Sequence, residues 1–176
     1  MKSTDEIIIR HAEGSDLYAF RDLRLEALKN HPTAFGSDYT ENSSKPITYW
    51  EERLKINSAE QAMFFAEQNA GLIGMATIVR GSSKKSFHTA NIYGIYVKPD
   101  WRGNHIAEKL VRTCLNWAVE NGIIVVKLAV VSDNRPAIRC YERCGFIPYG
   151  TEPKALNYEG RLYDEYLMSI ELTSQN

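Results

Sequence analysis

Two short stretches of the 176-residue chain carry residue types whose spacing suits chemistry. The first is Val97-Lys98-Pro99-Asp100-Trp101-Arg102-Gly103-Asn104-His105-Ile106-Ala107. A strand-like run stops at Pro99, a polar turn follows, and a helical pattern begins at Asn104. Such a junction gathers free backbone N–H groups and the positive end of a helix dipole at one spot. That spot binds phosphate or pyrophosphate, and Arg102 adds a guanidinium that pairs with a phosphate oxygen. An ordinary capped strand–helix junction has the same local pattern. No Gly-Lys-Ser/Thr follows, so this is not a Walker loop, and the Gly-x-Gly-x-x-Gly of a dinucleotide site is missing. The second stretch runs from Ser132 to Phe146. An apolar run ends at Val131, Asn134 suits an N-cap, and Pro136 suits a first helical turn. Ala137 and Tyr141 are four apart and share a helix face. A tyrosine there ordinarily packs in a core.

The elements around these stretches follow from pattern. Ile7–His11 reads as a strand, and a helix starting near Gly14-Ser15-Asp16 repeats Leu17, Phe20, Leu23, Ala27 and Leu28 with helical spacing and is expected to end before Pro32. The polar segment from His31 to Pro46, with Phe35 and Tyr39 inside it, reads as a long loop of the kind that carries function. Tyr49–Leu54 is a short helix. Ala62–Glu67 and Leu72–Val79 flank a Gln68–Gly71 turn as a hairpin, and His88–Val97 is a third strand. Asn104–Asn121 has helical periodicity, Ile123–Val131 has the apolar content of a strand covered on both faces, and Asn134–Arg143 is a second short helix. Phe146–Tyr149 and Leu162–Leu172 close the chain as strands, with Asn157–Gly160 as the turn between them. No repeat or linker interrupts this, so residues 1–176 are expected to form one α/β domain with a mostly antiparallel sheet.

Composition narrows the function classes. Lys+Arg is 21 and Asp+Glu is 22, a net charge of −1. A near-neutral chain has no global electrostatic hold on nucleic acid or anionic membrane. No apolar leader follows Met1-Lys2-Ser3-Thr4-Asp5, and no apolar run approaches a membrane span. Cys114, Cys140 and Cys144 lack framework spacing, and the Cys140/Cys144 pair offers too few ligands for structural zinc. No metal site is expected. Buried reduced thiols fit a cytoplasmic protein.

Taken together, the two stretches resemble the GNAT family, the Gcn5-related N-acetyltransferases. The family's cofactor motif is Arg/Gln-x-x-Gly-x-Gly/Ala, and Arg102-Gly103-Asn104-His105-Ile106-Ala107 matches its first and last positions, with His105 where the family has its central glycine. A second pattern, Asn-x-x-Ala-x-x-x-Tyr-x-x-x-Gly-Phe, is matched by Asn134, Ala137, Tyr141, Gly145 and Phe146. The resemblance implies the GNAT fold, a mixed and mostly antiparallel sheet of about seven strands flanked by about four helices. It implies an acetyl-CoA-dependent N-acetyltransferase acting on a primary amine by direct attack. It places the pyrophosphate on Arg102, Gly103, Asn104, His105, Ile106 and Ala107, and the pantetheine arm along the backbone of Ile95, Tyr96 and Val97. Asn134 and Ala137 would lie beside that arm, and Tyr141 by the sulfur as the group that protonates the leaving thiolate. His105 tolerates a left-handed turn, and its imidazole is expected to face a phosphate oxygen.

The acceptor is expected beside Phe35, Tyr39 and Tyr93, as a small-molecule or protein amine. A homodimer is allowed. The general base has no obvious bearer, because Asn91–Val97 carries no carboxylate. Glu26, Asp38, Glu41 and His88 are the nearby candidates. A competing reading is an acyl-CoA-binding module of the same fold with weak turnover.

Overall fold

The computed structural model describes residues 6–54 and 58–172. The expectation of no leader at Met1–Asp5 lies outside the described residues. Seven strands form one sheet: β1 (Ile8–His11), β2 (Gln61–Gln68), β3 (Gly71–Arg80), β4 (Thr89–Val97), β5 (Val125–Val131), β6 (Ile147–Tyr158) and β7 (Arg161–Glu171). Their order is β1-β2-β3-β4-β5-β7-β6, and every pairing except β4–β5 is antiparallel. The helices are α1 (Leu17–Asn30), α2 (Tyr39–Ser43), α3 (Ile47–Leu54), α4 (Ile106–Glu120) and α5 (Arg135–Arg143).

Both sheet faces are covered, and the period-2 alternation of the strands divides the core. Ala62, Phe64 and Ala66 of β2 pack with Leu110, Val111, Cys114 and Ala118 of α4. Their neighbours Met63 and Phe65 pack with Phe20, Leu23 and Ala27 of α1 and Trp50 of α3. The β2–β3 turn places Asn69 and Ala70 at φ 51° and 60°, the left-handed geometry that suits a tight hairpin.

Two segments differ from the sequence expectation. The polar segment from His31 to Pro46, expected as a loop, contains α2. Asp38 caps this helix by accepting from the Glu41 N–H at 2.9 Å, and the Asn42 side chain donates to the Asp38 carbonyl at 2.8 Å. A helix built on polar caps has no apolar stripe to betray it. The strand expected to stop at Tyr149 runs on to Tyr158. It is the edge of the sheet, where a proline is tolerated, and it passes Pro153 by a register shift between Glu152 and Leu156.

The feature that positions the site is the centre of the sheet. β4 and β5 pair only at Thr89–Asn91 with Val125–Lys127. Beyond that, β4 stays on β3 and β5 stays on β7, so the two strands part. β4 also bulges. Met75 faces Tyr96 and Thr77 faces Tyr93, which leaves two residues opposite one, with Gly94 at φ +63°. A bulge of this kind re-aims the strand.

Candidate active site

Two cavities open where β4 and β5 part. The first, of about 480 Å³, is walled by Ile95, Tyr96 and Val97 of β4, by Arg102, Gly103 and His105 of the turn, and by Ile106, Ala107 and Glu108 of α4. Ala129 and Val130 of β5 and Asn134, Ala137 and Tyr141 at α5 complete it. Of the sequence-derived residues on this side, Asn104 alone is not a wall. Its side chain is turned into the loop, donating to the Trp101 carbonyl at 3.0 Å.

The turn leaves backbone donors free at the start of α4. The Lys109 N–H bonds to the His105 carbonyl at 2.9 Å, so the N–H groups of Ile106, Ala107 and Glu108 have no partner earlier in the helix. His105 adopts φ 56°, ψ 20°, the left-handed region glycine would take. Its imidazole reaches Glu108, which walls the same cavity. Nδ1 lies 3.3 Å from Glu108, which also accepts from Arg112 at 3.0 Å and Arg143 at 3.1 Å. Hydrogen bonds from Arg112, Arg143 and His105 hold the Glu108 carboxyl down to about 2. Arg102 is folded back on the strand. Its Nε donates to the Val97 carbonyl at 3.0 Å, and a terminal nitrogen meets His31 Nε2 at 2.9 Å. A guanidinium cannot accept, so Nε2 is the acceptor and His31 is neutral in this contact. Burial and the Arg102 charge push the His31 pKa down, in the same sense. Arg139 and Arg143 also wall this cavity; sequence reading missed both.

At α5, the Asn134 side chain accepts from the Ala137 N–H at 3.3 Å, as an N-cap does. Tyr141 is 7% exposed and packs edge-on against Phe146. Burial, then the neighbouring Cys140 and Cys144, push its phenol pKa up, so it stays a neutral donor.

The second cavity, of about 730 Å³, lies on the α1 side of the bulge. Phe35, Tyr93, Gly94, Ile95, Ala129 and Tyr141 wall it, with Arg24 from α1, Arg53 from α3 and Glu165 from β7. Ala34, Phe35, Ile95, Ala129 and Tyr141 belong to both cavities. Tyr141 therefore stands where the two meet. Phe35 and Tyr93, two of the expected acceptor residues, both wall this cavity, and Tyr93 is 56% exposed. Tyr39 does not join them. It begins α2, with the Lys29 ammonium 5.9 Å from its ring centre, and walls neither cavity.

A match to the family described as the Acetyltransferase (GNAT) family spans residues 20–146. The chain belongs to the GNAT acetyltransferases. It is 30% identical over 169 residues to the L-amino acid N-acetyltransferase AaaT of Escherichia coli K12, covering 93% of this chain and 97% of that one. A GNAT-family acetyltransferase from Streptococcus pneumoniae superposes with a TM-score of 0.85 at 23% identity, covering 96% of this chain and all of that one. The structure of yncA from Salmonella typhimurium with its cofactor acetyl-CoA gives 0.80 at 23% identity, covering 97% and 96%.

A GNAT acetyltransferase uses acetyl-CoA and needs a base near the attacking amine. The base candidates named from sequence are placed elsewhere. Glu26 accepts from the Tyr96 hydroxyl at 2.9 Å, with Lys98 at 3.7 Å. Asp38 caps α2 and Glu41 pairs with Lys45 at 3.1 Å. His88 precedes β4 at the end far from the cavities, where its carbonyl accepts from the Ile124 and Val125 N–H groups. None of the four walls either of these two cavities. Glu165 does. It faces Val131 across β5–β7, and burial, then the nearby Glu152, raise its carboxyl above the usual range. Sequence offered one signal, the polar residues at the start of the last strand.

Proposed function

We propose that residues 1–176 form a single N-acetyltransferase domain that acetylates the primary amine of a small molecule. The observation that carries this reading is Tyr141 at the meeting point of two cavities, one floored by an anion-binding turn and the other able to hold an acceptor. A cavity of about 730 Å³ suits a free metabolite. The likeness to an L-amino acid N-acetyltransferase supports an amino acid as the class of acceptor. The three unpaired, buried cysteines support a cytoplasmic setting, and no described helix is long and apolar enough to cross a membrane.

Acetyl-CoA, when bound, supplies an acetyl thioester whose carbonyl the amine attacks. The α4 N–H groups of Ile106, Ala107 and Glu108 would hold the pyrophosphate, aided by Arg139 and Arg143 at the rim. The unpaired side of β4 from Ile95 to Val97 would take the pantetheine arm as an added strand. Glu165 would accept the amine proton, directly or through a water. The Tyr141 hydroxyl would donate to the sulfur as negative charge builds there, and its raised pKa keeps the proton available.

A thiol-release assay with acetyl-CoA and a panel of free amino acids and simple amines tests the reading. Turnover on at least one amine, lost in Tyr141→Phe without loss of CoA binding, is the expected result. CoA binding with no turnover on any amine would favour the binding-module alternative.

A further inference from the structure

The acceptor cavity holds two arginines that lack counter-ions. Arg24 lies on α1 between Leu23 and Leu25 and is only 7% exposed. Its sole hydrogen bond among the described residues is a long one, 3.4 Å to the Ser37 hydroxyl. Its guanidinium lies 4.7 Å from the centre of the Phe35 ring, and one terminal nitrogen is sealed from water with no partner. Arg53 donates to the Tyr49 hydroxyl at 3.0 Å and lies over that ring, while its Nε is buried without a partner. Neither arginine has an ion pair among the described residues. Burial, then the charge of Arg53, push the Arg24 guanidinium down to about 10.

Fully buried arginines are rare unless they are paired. Here the buried Arg24 and the half-buried Arg53 face one cavity, and among the described residues no ion pair joins either to the carboxylates on its walls, Glu52 and Glu165. A site with two unmatched cations and unused N–H donors is complementary to an anion that arrives from outside. Its position selects among anions. Arg24 lies against the β4 bulge, where a Cβ added to Gly94 would stand 3.5 Å from its terminal nitrogen. The next residue, Ile95, walls both cavities. The anion and the attacking amine must therefore sit close together, as they do when one carbon carries both.

We propose that Arg24 and Arg53 form a carboxylate subsite, and that the acceptor is an α-amino acid held by its carboxylate with its amine toward Tyr141. This rests on the acetyltransferase reading above but assigns the side chains that select the substrate. Phe35, stacked on Arg24 and shared by both cavities, would fix the plane of the guanidinium. Arg53 would contribute charge and Nε.

The test compares each L-amino acid with its decarboxylated amine, for example L-methionine with 3-(methylthio)propylamine and L-phenylalanine with phenethylamine. Wild type is expected to favour the amino acid by at least roughly 10-fold in kcat/KM. Arg24→Gln should raise KM for the amino acid by roughly 10- to 100-fold, the effect of losing a charged hydrogen bond, and change KM for the decarboxylated amine far less. Arg24→Lys should recover part of the loss, and Arg53→Gln should show a smaller change of the same kind. Calorimetry of the CoA-loaded protein with the twenty L-amino acids reads binding without turnover, and heat that vanishes in Arg24→Gln supports the subsite even if no amine is acetylated. Equal use of the decarboxylated amine by wild type would overturn the subsite while leaving the acetyltransferase standing. So would amino-acid binding unchanged in both Arg24→Gln and Arg53→Gln, or no amino-acid binding to wild type.

Discussion

Replacing Arg24 by methionine should make the free protein more stable. Burial lowers the Arg24 guanidinium from its ordinary value to about 10, and at about 1.4 kcal/mol per pKa unit the charged form is disfavoured by roughly 3 kcal/mol. Two contacts offset this. The stack on Phe35, at 4.7 Å, is worth about 1–2 kcal/mol when desolvated. The 3.4 Å bond to Ser37 is too long to add much. Methionine is unbranched and adapts to an irregular gap, so the stem's packing survives. The net gain is about 1–2 kcal/mol, and with a shift of roughly 2–4 °C per kcal/mol at this chain length, Tm should rise by roughly 2–8 °C. Thermal unfolding of wild type and Arg24→Met, each without ligand, is the measurement. A rise that comes with loss of amino-acid binding marks a side chain kept for function against stability. A fall of several degrees would refute the reasoning, since it would mean that Arg24 holds the fold together and its one buried, unpartnered nitrogen costs little.

The remaining predictions concern the reaction and the turn. Tyr141→Phe should lower kcat by about 10²-fold while Tm and CoA affinity barely move, because the ring still packs on Phe146; near-normal kcat would show that water protonates the thiolate. Glu165→Gln should cut kcat by a similar factor and remove the acid limb of the pH–rate profile, which in wild type should lie above the ordinary glutamate pKa of about 4.3. Its raised folded pKa also sets a sign: its stabilising contribution is full below the unfolded value and is lost as pH rises through the folded one. Tm measured at pH 8 should therefore be higher in the variant. His105→Gly should fold, because glycine takes φ 56° freely, and calorimetry should find CoA affinity little changed, because the imidazole is engaged with Glu108; a large loss of affinity would show that the ring itself holds the phosphate.

The parts of the site that sequence revealed are those fixed by local chemistry. The turn from Arg102 to Ala107 and the cap at Asn134 announce themselves because Pro99, Gly103, Pro136 and the Asn side chain act on their own backbone. Arg24 shows the opposite case. It lies four after Phe20 and three before Ala27, on the same stripe as both, so the helical period did place a charge on the buried face. The apolar residues of that stripe drew the reading, and nothing local distinguishes a charge that turns outward from one that packs under a bulge. Arg53 and Glu165 lie on α3 and β7, and only the assembled sheet brings them to one cavity. Helix α2 escaped for a different reason, since its order comes from Asp38 and Asn42 rather than from burial of an apolar face.

The parting of β4 from β5 has a mechanical side. The molecule amounts to two half-sheets, β1–β4 and β5–β7, fastened along one short run of main-chain pairs at Thr89–Asn91. A guest that lays amides along β4 would act as the missing rung, closing the zip from the open end. Its grip would depend on dihedral angles more than on side chains. The side chains at positions 95 and 97 would then answer to the core they pack on rather than to the guest, while Gly94 at φ +63° and residue 105 at φ 56° must keep their angles whatever residue supplies them. Hydrogen exchange at β4 would expose such a rung directly. Amides that exchange freely along the open seam should slow together when the donor binds, and the two halves should then resist opening as one plate.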